Sequence, residues 1–184
     1  GRRNHEYLVH YGAPPARIFA SPHCVDNDWF MARAREAQPE RSRLRAEWGM
    51  ADDTLVALFV GKLTPKKRPD DLLRALSELK EKHPGQKVAG VFVGSGPLEA
   101  SLRAEAARLG VNATFVGFKN QTELPPCYVS ADVLVLPSDG GETWGLVVNE
   151  AMACGLPAIV SDAVGCAPDM IVDDQTGYVF PLGN

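Results

Sequence analysis

Two short segments of the sequence hold residue types that could do chemistry together. The first runs Pro137-Ser138-Asp139-Gly140-Gly141-Glu142-Thr143-Trp144-Gly145-Leu146-Val147-Val148-Asn149-Glu150 and closes on Ala151-Met152-Ala153-Cys154-Gly155-Leu156-Pro157. It reads as a strand end, a glycine-rich loop and a helix. The glycines let the backbone come close to a ligand. A helix opening at Gly145 leaves the amides of Gly145, Leu146 and Val147 without partners inside the helix. A diphosphate suits such a helix start, because its N–H groups and the helix dipole both favour negative charge. Glu142 lies in the loop and Glu150 about two turns further on, so the two carboxylates need not touch. One can face a sugar and the other a ribose, since carboxylates readily accept hydroxyl hydrogens.

The second segment is Gly61-Lys62-Leu63-Thr64-Pro65-Lys66-Lys67-Arg68-Pro69, a basic loop between an apolar run and a helix start. Lysines placed there neutralise phosphate as mobile point cations. The cluster is short and the formal net charge of the chain is −4, which points to a small anion rather than to a nucleic acid.

Other candidates are weaker. Gly94-Ser95-Gly96 looks like the start of a dinucleotide fingerprint but lacks the third glycine, so it is expected to be a strand-to-helix turn that approaches the ligand. Asp26-Asn27-Asp28 could hold a divalent cation on phosphates, yet it follows no long apolar strand and is expected to be a turn or helix cap. Cys24, Cys127, Cys154 and Cys166 form no CxxC pair and have no histidine at zinc-ligand spacing, so reduced, buried thiols are expected and no metal site. His5, His10, His23 and His83 are dispersed; none falls in the loops above, and no histidine catalyst is expected.

These loops need a frame. Leu55 to Val60 is an unbroken apolar run ending at Gly61, as expected for a strand buried on both faces of a parallel sheet. Pro69 to about Lys82 is expected to be a helix, with proline in its first turn, Asp70 and Asp71 at its positive end, and Leu72, Leu73, Leu76 and Leu79 on one side. The alternation repeats: strand Val88 to Val93, helix Pro97 to Leu109, strand Ala113 to Val116, short helix Leu124 to Ser130, strand Val133 to Leu136, helix Gly145 to Ala153, strand Ala158 to Ser161, short helix Pro168 to Val172, strand Tyr178 to Phe180. Such alternation predicts an α/β fold, a doubly wound parallel sheet with helices on both faces. Ligands of these sheets sit beyond the carboxyl ends of the strands, so the loops after Val60, Val93, Val116 and Leu136 should share one rim. Residues 1–50, broken by Pro14-Pro15, Pro22 and Pro39, are expected to be a lead-in or linker, with a solvated helix from Arg33 to Arg45. Residues 51–184 are expected to form the domain proper. The start at Gly-Arg-Arg predicts excision from a longer protein, and no apolar run approaches the roughly 18 residues that would suggest a membrane span.

From Ile18 to Gly183 the sequence resembles the C-terminal domain of the family 4 retaining glycosyltransferases of GT-B architecture. The resemblance rests on Ile18-Phe19-Ala20-Ser21-Pro22 with Val25-Asp26, on Phe59-Val60-Gly61-Lys62-Leu63 with Lys67, on Ala131-Asp132-Val133 to Pro137-Ser138, and on Glu142 and Glu150 with seven residues between them. It implies a Rossmann-like donor domain, one of the two in such an enzyme, with the finishing helices of the domain cut off. Lys62 and Lys67 would hold the donor diphosphate, Glu150 the ribose hydroxyls and Glu142 the transferred sugar, with Glu142, Lys62 and Lys67 as the catalytic set. Gly145 and Leu146 would give amides, and Thr143, Gly61 and Gly94 would complete the donor site. The resemblance further implies a metal-independent reaction without a cofactor, a UDP-, GDP- or ADP-sugar as donor, and an acceptor glycan or glycolipid bound through an absent N-terminal domain. The setting would be cytoplasmic, at most peripheral at the inner face of the membrane, in polysaccharide or glycolipid assembly, and the fragment alone would be inactive. The sequence departs from the family pattern in having Lys62 for arginine, Arg68 for glycine, Cys166 for a second glycine, and one extra residue in Asp139-Gly140-Gly141. A sugar-nucleotide epimerase of the same architecture and a non-catalytic nucleotide-binding module remain open as alternatives.

Overall fold

The computed structural model describes residues 1–183. Its centre is a six-stranded, wholly parallel sheet, β1 (Leu55–Val60), β2 (Val88–Val93), β3 (Ala113–Gly117), β4 (Val133–Leu136), β5 (Ala158–Ser161) and β6 (Gly177–Phe180), in the order β3-β2-β1-β4-β5-β6. The order reverses between β1 and β4. These adjacent strands carry connections running in opposite directions, so their carboxyl ends open a crevice, the topological switch point of a doubly wound sheet.

The helices are α1 (Arg2–His10), α2 (Asn27–Ala37), α3 (Arg41–Glu47), α4 (Pro69–Lys82), α5 (Glu99–Leu109), α6 (Leu124–Ser130), α7 (Leu146–Ala153) and α8 (Ala167–Met170). Because strand residues alternate between faces, Val56, Leu58 and Val60 go to one core with Phe30 of α2, Tyr128 of α6 and Val148 of α7, whereas Ala57 and Phe59 go to the other with Leu72, Leu73 and Leu76 of α4 and Leu102 of α5. The strand register follows directly: β1 and β2 pair from Leu55 opposite Val88 to Val60 opposite Val93.

The reading of residues 1–50 as a lead-in needs correction. Its second half is part of the packed domain: Phe30 is fully buried, Met50 nearly so, and Arg45, assigned to a solvated helix, is 1% exposed. Proline did not break this stretch because Pro39 falls in a short 3-10 turn joining α2 to α3. Arg33 and Arg43 do face solvent, but Arg45 turns inward to Asp132. Arg41 and Arg45 both reach that carboxylate, at 2.6 and 3.3 Å, and its other contact is the Val56 amide at 2.7 Å. Asp132 therefore ties α3 to the starts of β1 and β4. Residues 11–26 are largely irregular as expected, and Phe19 there is 87% exposed.

Smaller differences have local causes. Helix α5 starts at Glu99 instead of Pro97, because Gly96, Pro97 and Leu98 form a turn in which the Leu98 amide donates to the Leu63 carbonyl at 3.1 Å. Helix α8 ends at Met170, where Ile171 turns to extended backbone. Asp26 caps α2, accepting from the Trp29 amide at 2.9 Å, as the cap reading expected. Cys127 and Cys166 are buried, but Cys24 is exposed. The sheet is less protected on the α4 side of β4 and β5, where half-buried Val133, Val135 and Ile159 meet Leu79 and Phe180 in an apolar groove. No described helix is long and apolar enough to cross a membrane.

Candidate functional site

The rim expected from sequence forms at the carboxyl ends of the strands, and backbone bonds hold its loops together beyond the sheet. The Gly61 amide donates to Val93 at 2.9 Å, the Gly94 amide to Gly117 at 2.8 Å, and the Leu63 amide to Ser95 at 3.0 Å. This packing leaves no room for side chains: Gly94 has φ +137, and a Cβ there would lie 1.9 Å from the Gly61 carbonyl oxygen. Gly94 and Gly96 thus pack backbone against the backbone of the loop after β1, a Cβ on Gly96 lying 2.4 Å from the Leu63 carbonyl oxygen, which explains the two glycines of an incomplete fingerprint by loop-on-loop packing.

Across the switch point the loop after β1 meets the loop after β4. The Asp139 amide donates to the Lys66 carbonyl at 2.9 Å, and Lys67 Nζ forms an ion pair with Glu142 Oε2. Their side chains are 17% and 14% exposed, so the pair is shielded far more than a surface bridge. The sequence assigned these residues to different parts of a donor; the structure makes them direct partners. Ser138 also lies against Glu142 Oε2 at 3.4 Å. Lys62 is exposed and makes no ion pair with a described residue, so its charge is free to meet an anion. Arg68 turns away to Asp71 at 2.5 Å and sits at φ +49, in the left-handed region where glycine is unstrained.

The β4 loop is braced from behind. The Glu142 amide donates to Asp139 at 3.0 Å, the Gly165 amide to the Glu142 carbonyl at 3.0 Å, and the Cys166 amide to Trp144 at 3.0 Å. A Cβ on Gly165 would lie 1.9 Å from the Thr143 carbonyl oxygen. Gly165 is therefore a site residue that sequence reading missed, and the signal available was its place just after the β5 strand, on the same rim. Gly145, at φ +96, ends the loop and caps α7. The amides of Leu146 and Val147 have no acceptor among the described residues, while the Val148 amide bonds to Gly145 at 2.9 Å. Thr143 and Leu146 are exposed beside them.

Two further residues join the site from outside the rim segments. Trp144 donates through its indole N–H to Asn149 at 2.8 Å and meets the His23 ring at a tilt, ring centroids 5.1 Å apart and planes 39° apart. His23 thus abuts the rim after all, brought there by a chain segment distant in sequence. Its imidazole is hydrogen-bonded to no side chain among the described residues. Deeper on α7, Glu150 Oε2 accepts from the Tyr128 hydroxyl at 2.6 Å. Burial raises the Glu150 carboxyl above its ordinary range, and the Tyr128 bond pulls the other way. Burial foremost, then the Glu150 charge, holds the Tyr128 phenol well above its usual range, so it stays a donor. No group of three or more His, Cys, Asp or Glu among the described residues has metal-site geometry.

This arrangement has counterparts. The family model for glycosyl transferases group 1 matches residues 40–184. The chain belongs to that family. A D-inositol 3-phosphate glycosyltransferase of Streptomyces bingchenggensis is 38% identical over 97% of this chain and 40% of its own length, and one of Segniliparus rotundus is 36% identical over 92% and 37%. This group 1 chain therefore spans well under two thirds of the curated relatives it matches. Among solved structures, Anabaena HepE in complex with UDP superposes with a TM-score of 0.81 at 22% identity, over all of this chain and 49% of that one. WaaG, a glycosyltransferase involved in lipopolysaccharide biosynthesis, gives 0.74 at 26% identity, over 96% and 46%. The group 1 domain has the Rossmann-like, doubly wound architecture of these GT-B neighbours.

Proposed function

We propose that this chain binds the nucleotide-sugar donor of a group 1 glycosyltransferase, and that the intact enzyme transfers the sugar to an acceptor hydroxyl with retention at the anomeric carbon. One observation supports the reading: across the switch point Lys67 pairs with Glu142, and the loop that holds this carboxylate runs directly into α7, whose Leu146 and Val147 amides have no acceptor among the described residues. The amides and Lys62 suit a diphosphate, and Lys67 reaches it by exchanging its bond to Glu142. Glu142 then takes the hydroxyls of the transferred sugar and Glu150 those of the ribose. Thr143, Gly145, Gly61 and Gly94 shape the walls and floor.

As the anomeric C–O bond lengthens, its electron pair passes to the diphosphate oxygen, where oriented lysines and amides stabilise the developing charge. Charge neutralisation by these groups makes the reaction metal-independent and needs no cofactor. A purely phosphate-binding module would gain nothing from two added carboxylates in the site, which favours a sugar-handling role. The acceptor belongs to the part of the intact enzyme that the longer relatives possess; their name makes a phosphorylated cyclitol the first acceptor to test. A cytoplasmic setting, at most peripheral at the membrane, fits this substrate class.

Calorimetric titration with UDP, GDP and ADP tests the donor site. Binding of one of the three is expected, and no heat and no thermal shift with any of them would overturn the reading. In the full-length enzyme, NMR of the product's anomeric configuration tests retention, and incubation with donor but no acceptor separates a transferase from an epimerase.

A further inference from the structure

We infer that Tyr128 is a positioning residue for the donor: its hydroxyl fixes one oxygen of Glu150 so that the other is presented to the ribose hydroxyls. The inference rests on the donor-site reading above and extends it to a residue outside the rim. Tyr128 is fully buried in α6, on the helical layer that also holds α7, and its hydroxyl donates to Glu150 Oε2 at 2.6 Å. No described donor reaches Glu150 Oε1. A glutamate on a helix has three rotatable side-chain bonds, and a half-buried one left to itself would turn its charge toward water. The charge-assisted bond from a neutral phenol removes that freedom. The ring cannot move to follow, since it is fully buried in the main core, which also holds Phe30, Leu134 and Val148. One carboxylate oxygen is thus held by the protein, and the other remains free with its orientation already set. This is the economy of pre-organisation: ordering is completed in folding and not charged to binding.

The test compares the tightest-binding of UDP, GDP and ADP with its 2′-deoxy counterpart by calorimetry on the whole chain. In the unmodified protein the ribonucleotide is expected to bind about tenfold more tightly, the worth of one charge-assisted hydrogen bond. In Tyr128→Phe the ribonucleotide should weaken about three- to tenfold while the 2′-deoxy nucleotide changes less than twofold, which collapses the discrimination. Placing 4-aminophenylalanine at position 128 retains a donor on the same ring and should restore it. If Tyr128→Phe fails to fold, 4-methylphenylalanine fills the hydroxyl's space without the donor and carries the same comparison. A parallel loss for both nucleotides, or undiminished discrimination, overturns the positioning role. Equal affinity for the two nucleotides in the unmodified protein instead overturns the assignment of Glu150 to the ribose.

Discussion

Lys67 and Glu142 are joined in one ion pair, yet the proposed chemistry requires that breaking it from either side have opposite effects on nucleotide binding. In Lys67→Ala a diphosphate loses a charge-assisted hydrogen bond, worth about 1.5–3 kcal/mol. Lys67 already has a partner in Glu142, so part of that value is exchanged rather than gained, and the lower end applies. About 1.5 kcal/mol corresponds to roughly tenfold weaker binding. Glu142→Gln removes a like charge from beside the phosphate and releases the lysine. Two unit charges about 5 Å apart interact by roughly 3 kcal/mol at an effective dielectric constant near 20. Water entering an open crevice reduces this to about a third, so UDP should bind about threefold to tenfold more tightly. Calorimetry at fixed ionic strength, with thermal unfolding of each variant as a control, measures both. A role of the pair confined to bracing the two loops would make both variants bind UDP more weakly. That result, or an unchanged affinity in Lys67→Ala, would refute the reasoning.

Other outcomes follow from the same geometry. Lys67→Ala in the full-length enzyme should lower turnover by about two orders of magnitude, as loss of an oriented charge donor does elsewhere, measured as sugar transferred from radiolabelled donor. Asp132→Ala strips the partner from the buried Arg45 guanidinium and from the Val56 amide; a loss of about 3–5 kcal/mol is expected, seen as a melting temperature about 6–20 °C lower by circular dichroism. Burial raises the Glu150 carboxyl in the folded chain, so its ionisation is easier in the unfolded state and stability falls as pH rises from the ordinary carboxyl range through the folded value. Glu150→Gln escapes that loss, and its melting temperature relative to the unmodified chain should improve from about pH 4 to pH 7. Cys24 is exposed, Cys154 half-buried, and Cys127 and Cys166 buried, with burial pushing Cys127 up to about 11 and Cys154 and Cys166 up to about 12; Cys24 should react quickly with a disulfide reagent, Cys154 more slowly, and Cys127 and Cys166 only on unfolding.

The order of strands and helices was legible because each apolar run is bounded by glycine or proline and each crossover contains a run of helical period. Strands β1, β2, β4 and β5 and helices α4 and α6 have the limits expected from sequence. Residues 27–50 were misread because their arginines and Pro39 mask a few apolar positions, Phe30 and Met50 among them, that pack into the core, and because the partner of the buried Arg45, Asp132, is far away in sequence. Gly94 was legible in kind but not in cause, and Gly165 was not legible at all: both are required by neighbouring carbonyl oxygens in other loops.

By itself the sequence determined which groups could act and that they lie after strand ends, since local periodicity sets where a strand stops and a loop begins. It could not determine which loops face each other, because partner choice depends on strand order, and strand order depends on packing both sheet faces at once. Folding placed β1 beside β4, and that single adjacency brought Lys67 to Glu142. Packing α6 beside α7 brought the Tyr128 hydroxyl to Glu150 and left one carboxylate oxygen without a donor among the described residues.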